Sequence, residues 1–144
     1  MRRWLLGILL LALATNVAAC NNNKTTTTTP TTPTTTTPAA TVTETFAGTL
    51  NMNGGVTYPF TATAAGTVTA TLTTVAPDST VQIGLSLGSW TGTACQVVIA
   101  NDAAAQTAVV TGTLTSAAAL CVRVYDPAAK VTAPVNFSVS IVHP

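Results

Sequence analysis

Residues 42–144 are predicted to form an all-β domain, an antiparallel β-sandwich of about eight strands, and three observations carry that reading. Apolar residues alternate with Thr or Ser in short runs, the two-residue period of half-buried strands. No window holds a helical apolar stripe longer than two turns. Clusters of Gly, Pro, Asn and Asp break the runs at short intervals, where a chain of short strands must reverse.

Taken in order, a weaker strand is expected near 42–50, then a turn from Asn51 to Gly55. Val56, Tyr58, Phe60 and Ala62 form an inward face; Pro59 has no backbone N–H to give a ladder and marks an edge or a bulge. After Ala64–Gly66, Val68, Ala70 and Leu72 supply the next face, ending at Ala76-Pro77-Asp78-Ser79. The clearest run sets Val81, Ile83, Leu85 and Leu87 against Gln82, Gly84, Ser86 and Gly88, and a turn is expected from Gly88 to Gly92. Weaker strands near 94–100 and 107–114 flank a turn at Asn101-Asp102. Leu120, Val122 and Val124 precede a turn at Asp126-Pro127, and Val135, Phe137, Val139 and Ile141 close the domain. Two sheets packed face to face bury all these apolar faces; a closed barrel satisfies the same pattern. Thr hydroxyls keep the outer faces wet with little charge, and edge strands so poor in lysine are weakly guarded against pairing.

Composition excludes some functions. Of 144 residues 32 are Thr, only 6% are charged, and the formal net charge is +1, so the basic stripe of a nucleic-acid binder is missing. Arg123 with Lys130 is too little charge to hold a phosphate backbone.

At the N-terminus Arg2 and Arg3 precede the apolar run Trp4–Ala14, and small residues lead to Val17-Ala18-Ala19-Cys20. This is the order of an export signal, with an apolar stretch too short to span a bilayer. Val-Ala-Ala-Cys resembles the lipobox of bacterial lipoproteins, which implies a signal peptide at 1–19, cleavage before Cys20, and diacylglycerol on its thiol. Two or three acyl chains, at about 0.8 kcal/mol per buried methylene, would moor the chain to a membrane durably. Asn21 follows the cysteine where the inner-membrane retention signal places Asp, so the resemblance favours the outer membrane of the cell envelope. Residues 20–41 then form a disordered Thr/Pro-rich tether: Pro30, Pro33 and Pro38 interrupt the threonines, and no large apolar residue is present. Fully extended it reaches roughly 60 Å. It also resembles segments that carry O-linked sugar, and a bare spacer is the other reading.

Within 42–144, Phe46-Ala-Gly-Thr-Leu50, Tyr58-Pro-Phe60, Gly66-Thr-Val-Thr-Ala-Thr-Leu72, Leu85-Ser-Leu87, Leu120-Cys-Val-Arg-Val124 and Phe137-Ser-Val-Ser-Ile141 follow one another as strand residues. That order resembles the pre-peptidase C-terminal family of small jelly-roll-like β-sandwiches found on secreted bacterial proteases and other exported proteins. The resemblance implies a jelly-roll-like sandwich and brings no catalytic residues with it. The expected anchor and tether differ from the usual arrangement, in which such a domain is appended to a peptidase.

Once Cys20 is assigned to lipid, Cys95 and Cys121 remain, and an exported domain is expected to join them in a disulfide. Closing a loop of about 27 residues contributes on the order of 3 kcal/mol by chain entropy. Their phases differ: Cys95 alternates with Val97 and Ile99, whereas Cys121 is out of step with Leu120, Val122 and Val124, so a bulge or strand end is needed to bring them together.

No catalytic, cofactor-binding or metal-binding set stands out. His143 is expected to be a solvated tail residue, no Gly-x-Ser-x-Gly elbow occurs, and Glu44, Asp78, Asp102 and Asp126 are isolated. Turn aspartates bond their own backbone; the one arrangement a calcium ion could use is Asp102 with Asn101 and another turn acid. Binding is the better class. Trp90, placed in the Gly88–Gly92 loop, is the candidate ligand contact, either presented to a sugar ring or a partner protein or folded back as a lid on the sandwich. The expected function is a membrane-anchored, non-catalytic binding, adhesion or envelope-structural module with a protein or polysaccharide partner. The alternative is an accessory that assists a secreted hydrolase in trans.

Overall fold

The computed structural model describes residues 39–144; the expected export signal, Cys20 and nearly all of the expected tether lie outside the described residues. Eight strands follow one another: β1 (Val42–Leu50), β2 (Gly55–Ala62), β3 (Gly66–Ala76), β4 (Ile83–Trp90), β5 (Cys95–Ala104), β6 (Val109–Leu114), β7 (Ala118–Tyr125) and β8 (Val135–His143). They form two four-stranded sheets ordered β1-β8-β3-β6 and β2-β7-β4-β5, with every pairing antiparallel. The first strand pairs with the last, the second with the seventh, the third with the sixth and the fourth with the fifth. One long hairpin rolled into two layers gives this order, which is that of a jelly roll. Two separate sheets decide for the sandwich over the barrel.

The predicted apolar faces meet between the layers. Leu50, Leu72, Ile83, Leu85, Val122, Val124, Phe137, Val139 and Ile141 are fully buried. Pro59 lies on β2, an edge strand, where its missing donor costs no ladder bond. Phe46 stacks on Tyr58 at 4.9 Å, and the Tyr58 hydroxyl donates to the Ala47 carbonyl at 2.8 Å.

Two predicted turns are strand instead. β4 continues through Gly88 to Trp90, and the reversal comes at Thr91–Ala94, closed by the Thr91 N–H to the Ala94 carbonyl at 3.0 Å. Asn101 and Asp102 lie inside β5, which turns only at 105–108, where the Ala108 N–H reaches the Ala105 carbonyl. Asn101 satisfies its turn-forming tendency within the strand by accepting the Ala103 N–H at 3.0 Å.

The C-terminus is also not the solvated tail expected. His143 is the last residue of β8 and only 2% exposed, set against the Phe60 ring with centroids 5.2 Å apart. Its Nε2 lies 3.0 Å from Glu44 Oε1, so Glu44 is not isolated either. The Pro144 carbonyl accepts the Thr63 N–H at 2.9 Å, which ties the chain end to the neighbouring sheet.

Candidate functional site

Side chains alternate across a strand, so β4 turns Ile83, Leu85 and Leu87 to the core and Gly84, Ser86, Gly88 and Trp90 outward. Cross-strand register places Cys121, Arg123 and Tyr125 of β7 on that same outer face, opposite Gly88, Ser86 and Gly84. Cys95 stands opposite Trp90 and Val97 opposite Gly88, while Ile99 stands opposite the inward Leu87. A bulge at Val98 thus reverses the phase of β5 and resolves the mismatch between the two cysteines.

The disulfide Cys95–Cys121 joins strands that are not neighbours, because β4 lies between them. Two strand spacings would separate the α-carbons by about 9.6 Å. They are 5.8 Å apart. The start of β5 folds over β4, and a side chain at Gly88 would collide with the Gln96 carbonyl, so only glycine admits the crossing.

Further along the same face the Tyr125 ring covers Gly84, where an added Cβ would come within 2.5 Å of it. The Tyr125 hydroxyl donates to Asp102. Burial, this bond and the nearby negative charge push the Tyr125 hydroxyl up to about 12. Arg123 Cζ sits 5.1 Å from the ring centroid, and the guanidinium extends across Gly55, where an added Cβ would be 3.1 Å from a terminal nitrogen. Ser86 is completely buried in this layer and directs its hydroxyl to the Arg123 carbonyl at 3.4 Å.

The second feature is the side of the sandwich where edge strands β5 and β6 run. A cleft of about 230 Å³ opens between them, with Val68, Leu87, Leu114 and Leu120 inside and Val98 and Ile99 at the β5 lip. Of seven exposed large apolar residues among those described, Val97, Val98, Ile99 and Val109 belong to these two strands. Val98 is 72% exposed. Asp102 is the one charged residue of either strand. The opposite edges carry Glu44 on β1 and Pro59 on β2, which discourage contact.

Trp90 is half-buried at the end of β4 rather than in a loop, beside Cys95 on the outer face. The turn acids are separate, and among the described residues no group of three or more His, Cys, Asp or Glu side chains is placed to hold a metal ion. Asp78 accepts the Thr80 N–H and hydroxyl, at 2.9 and 2.7 Å. Asp126 accepts the N–H groups of Asn53 at 2.8 Å and Val131 at 3.0 Å, fastening the β1–β2 turn to the loop after β7. Burial would raise its pKa; backbone bonds from Asn53, Val131 and Lys130 outweigh that and hold the carboxyl below its ordinary value. These acids serve structure, while the Arg123–Tyr125 stack and the apolar cleft are the groupings the sequence reading missed. Glycines 55, 84 and 88, facing the outward residues of β7 and β5, were the signal available for the first.

No family model matches the chain. No curated protein matches it. Among solved structures, the chain is similar to the crystal structure of Yersinia pseudotuberculosis-derived mitogen, with 16% identity over 73% of this chain and 88% of that one and a TM-score of 0.52. PliG of Aeromonas hydrophila, a periplasmic lysozyme inhibitor of g-type lysozyme, has 18% identity over 69% of this chain and 83% of that one, with a TM-score of 0.48. At such identities the mitogen likeness supports the sandwich fold alone.

Proposed function

We propose that the chain is an exported lipoprotein, moored by acyl groups on Cys20, whose jelly roll is a non-catalytic module that binds a partner protein along its β5 side. The observation that carries the binding reading is the apolar cleft between β5 and β6 with Val97, Val98 and Ile99 exposed beside it. An apolar patch gathered on one side of a small domain is the mark of an interaction surface. Register irregularities interrupt β5 twice, so its backbone is a poor template for a further strand, and contact through side chains is the mode that remains. Trp90, opposite Cys95, extends the same surface.

The mooring rests on Val17-Ala18-Ala19-Cys20 and the Thr/Pro-rich run that follows it, with the outer membrane as the destination Asn21 favours. The resemblance to pre-peptidase C-terminal domains agrees with an exported sandwich that has no reaction centre.

A photo-cross-linker placed at position 98, in cells, tests the reading against the same group at position 43 on β1. A discrete adduct at 98, absent at 43 and lost when Ile99→Asp is added, is the expected result. Equal labelling at both positions, or turnover by the purified protein, overturns it. Intact mass then reports whether Cys20 carries acyl chains.

A further inference from the structure

We infer that Arg123 is a receptor for a carboxylate group of the partner protein, the one charged contact of an otherwise apolar interface. This rests on the binding reading above and adds to it a site on the neighbouring face.

The guanidinium has a neighbour on two sides. One side is set against the Tyr125 ring at 5.1 Å, and Gly55 beneath it leaves the room it occupies. The ring is itself fixed, packed on Gly84 and bonded through its hydroxyl to Asp102. Among the described residues the guanidinium makes no ion pair: the one ion pair there joins His143 and Glu44. An oriented, unpaired fork of donors matches a carboxylate in two parallel bonds, with little conformational freedom left to lose on binding. Asp102 is the charged neighbour, and its carboxylate is committed to the Tyr125 hydroxyl. A single carboxylate suits this balance better than a polyanion.

The observations favour a polypeptide acid over a sugar acid. Tyr125 has Gly84 on its ring and Arg123 stacked against it, so no free aromatic face stands beside the guanidinium for a sugar ring. The site is also continuous with the β5 side: Val97 and Arg123 lie on one sheet face, within about 12 Å of each other by strand spacing. A partner resting on Val97 and Val98 brings an Asp or Glu side chain over Arg123.

The test uses the full chain, purified in nonionic detergent, with the Arg123 side-chain Nε–H resonance as readout. The probes are two end-capped pentapeptides, alternating valine with glutamate and valine with glutamine. The glutamate peptide is expected to shift the resonance and to bind about tenfold more tightly than its glutamine counterpart, a preference that Arg123→Gln removes and Arg123→Lys reduces. Equal responses to the two peptides, or an unmoved Arg123 resonance, overturn the inference, and this comparison needs no variant to fold. Binding of oligogalacturonate at Arg123 without the glutamate peptide also overturns it, in favour of a glycan. The two readings fail separately: if the cross-link at position 98 forms and Arg123 ignores carboxylates, the inference falls and the binding module stands.

Discussion

Cys95 and Cys121 are bonded across an intervening strand, with their α-carbons 5.8 Å apart because the backbone at Gln96 lies directly over Gly88. The bond and the glycine are therefore one device. Gly88→Ala is expected to cost about 3 kcal/mol, since the added methyl meets main chain that cannot swing aside. The paired change Cys95→Ala, Cys121→Ala should cost about 3 kcal/mol as well, or roughly 15 °C in Tm. Because both act on the same crossing, the triple variant should lose clearly less than the sum, which thermal unfolding of the set measures.

Tyr125 supplies a pH signature. Its pKa in the folded protein is about 12 against an ordinary 10.0, so the neutral hydroxyl is favoured by folding. The contribution is fully present below about pH 10 and is lost as the pH rises toward about 12. Gly84→Ala, which drives a methyl into the ring, should return the tyrosine titration seen by ultraviolet absorbance toward 10, and Asp102→Asn should move it part of the way.

Asp126 works in the opposite direction. Its folded pKa lies below the ordinary carboxylate value, so its contribution is present above that value and disappears as the pH falls through the depressed one. Asp126→Ala should shift the acid-unfolding midpoint to higher pH and free the β1–β2 turn. Amide exchange at Asn53 and Val131, whose N–H groups it accepts, reads that release.

The chain end should prove structural. His143→Ala removes the partner of Glu44 and leaves a gap beside Phe60, with an expected loss of about 2 kcal/mol in urea unfolding. Deleting Pro144 alone should cost less, through the Thr63 N–H it leaves without its acceptor.

Strand patterning was legible wherever one face is apolar: Val135–Ile141 and Val68–Leu72 became β8 and β3 with the expected faces buried. Local sequence is ambiguous where one residue serves a purpose set by distant parts of the chain. Gly88 looked like a turn residue because a crossing strand and a reversal both call for glycine, and the choice depends on where Cys121 lies in space. Val97 and Ile99 read as one face because a bulge leaves no local mark in a run of Val and Ile. His143 looked free because its partner, Glu44, is 99 positions away in the chain. In the sequence Arg123 is one more positive charge; what singles it out is the glycine on the neighbouring strand and the ring beside it.

The claim that binding runs through the β5 side is tested most directly by the affinity of the partner captured at position 98 for two charge insertions. Val98→Lys and Val42→Lys each place an ammonium at an exposed valine, 72% and 49% accessible, on β5 and on β1. At least a tenfold loss is expected for Val98→Lys, with Val42→Lys unchanged and both proteins equally stable. Equal affinities for the two variants would rule out binding through the β5 side.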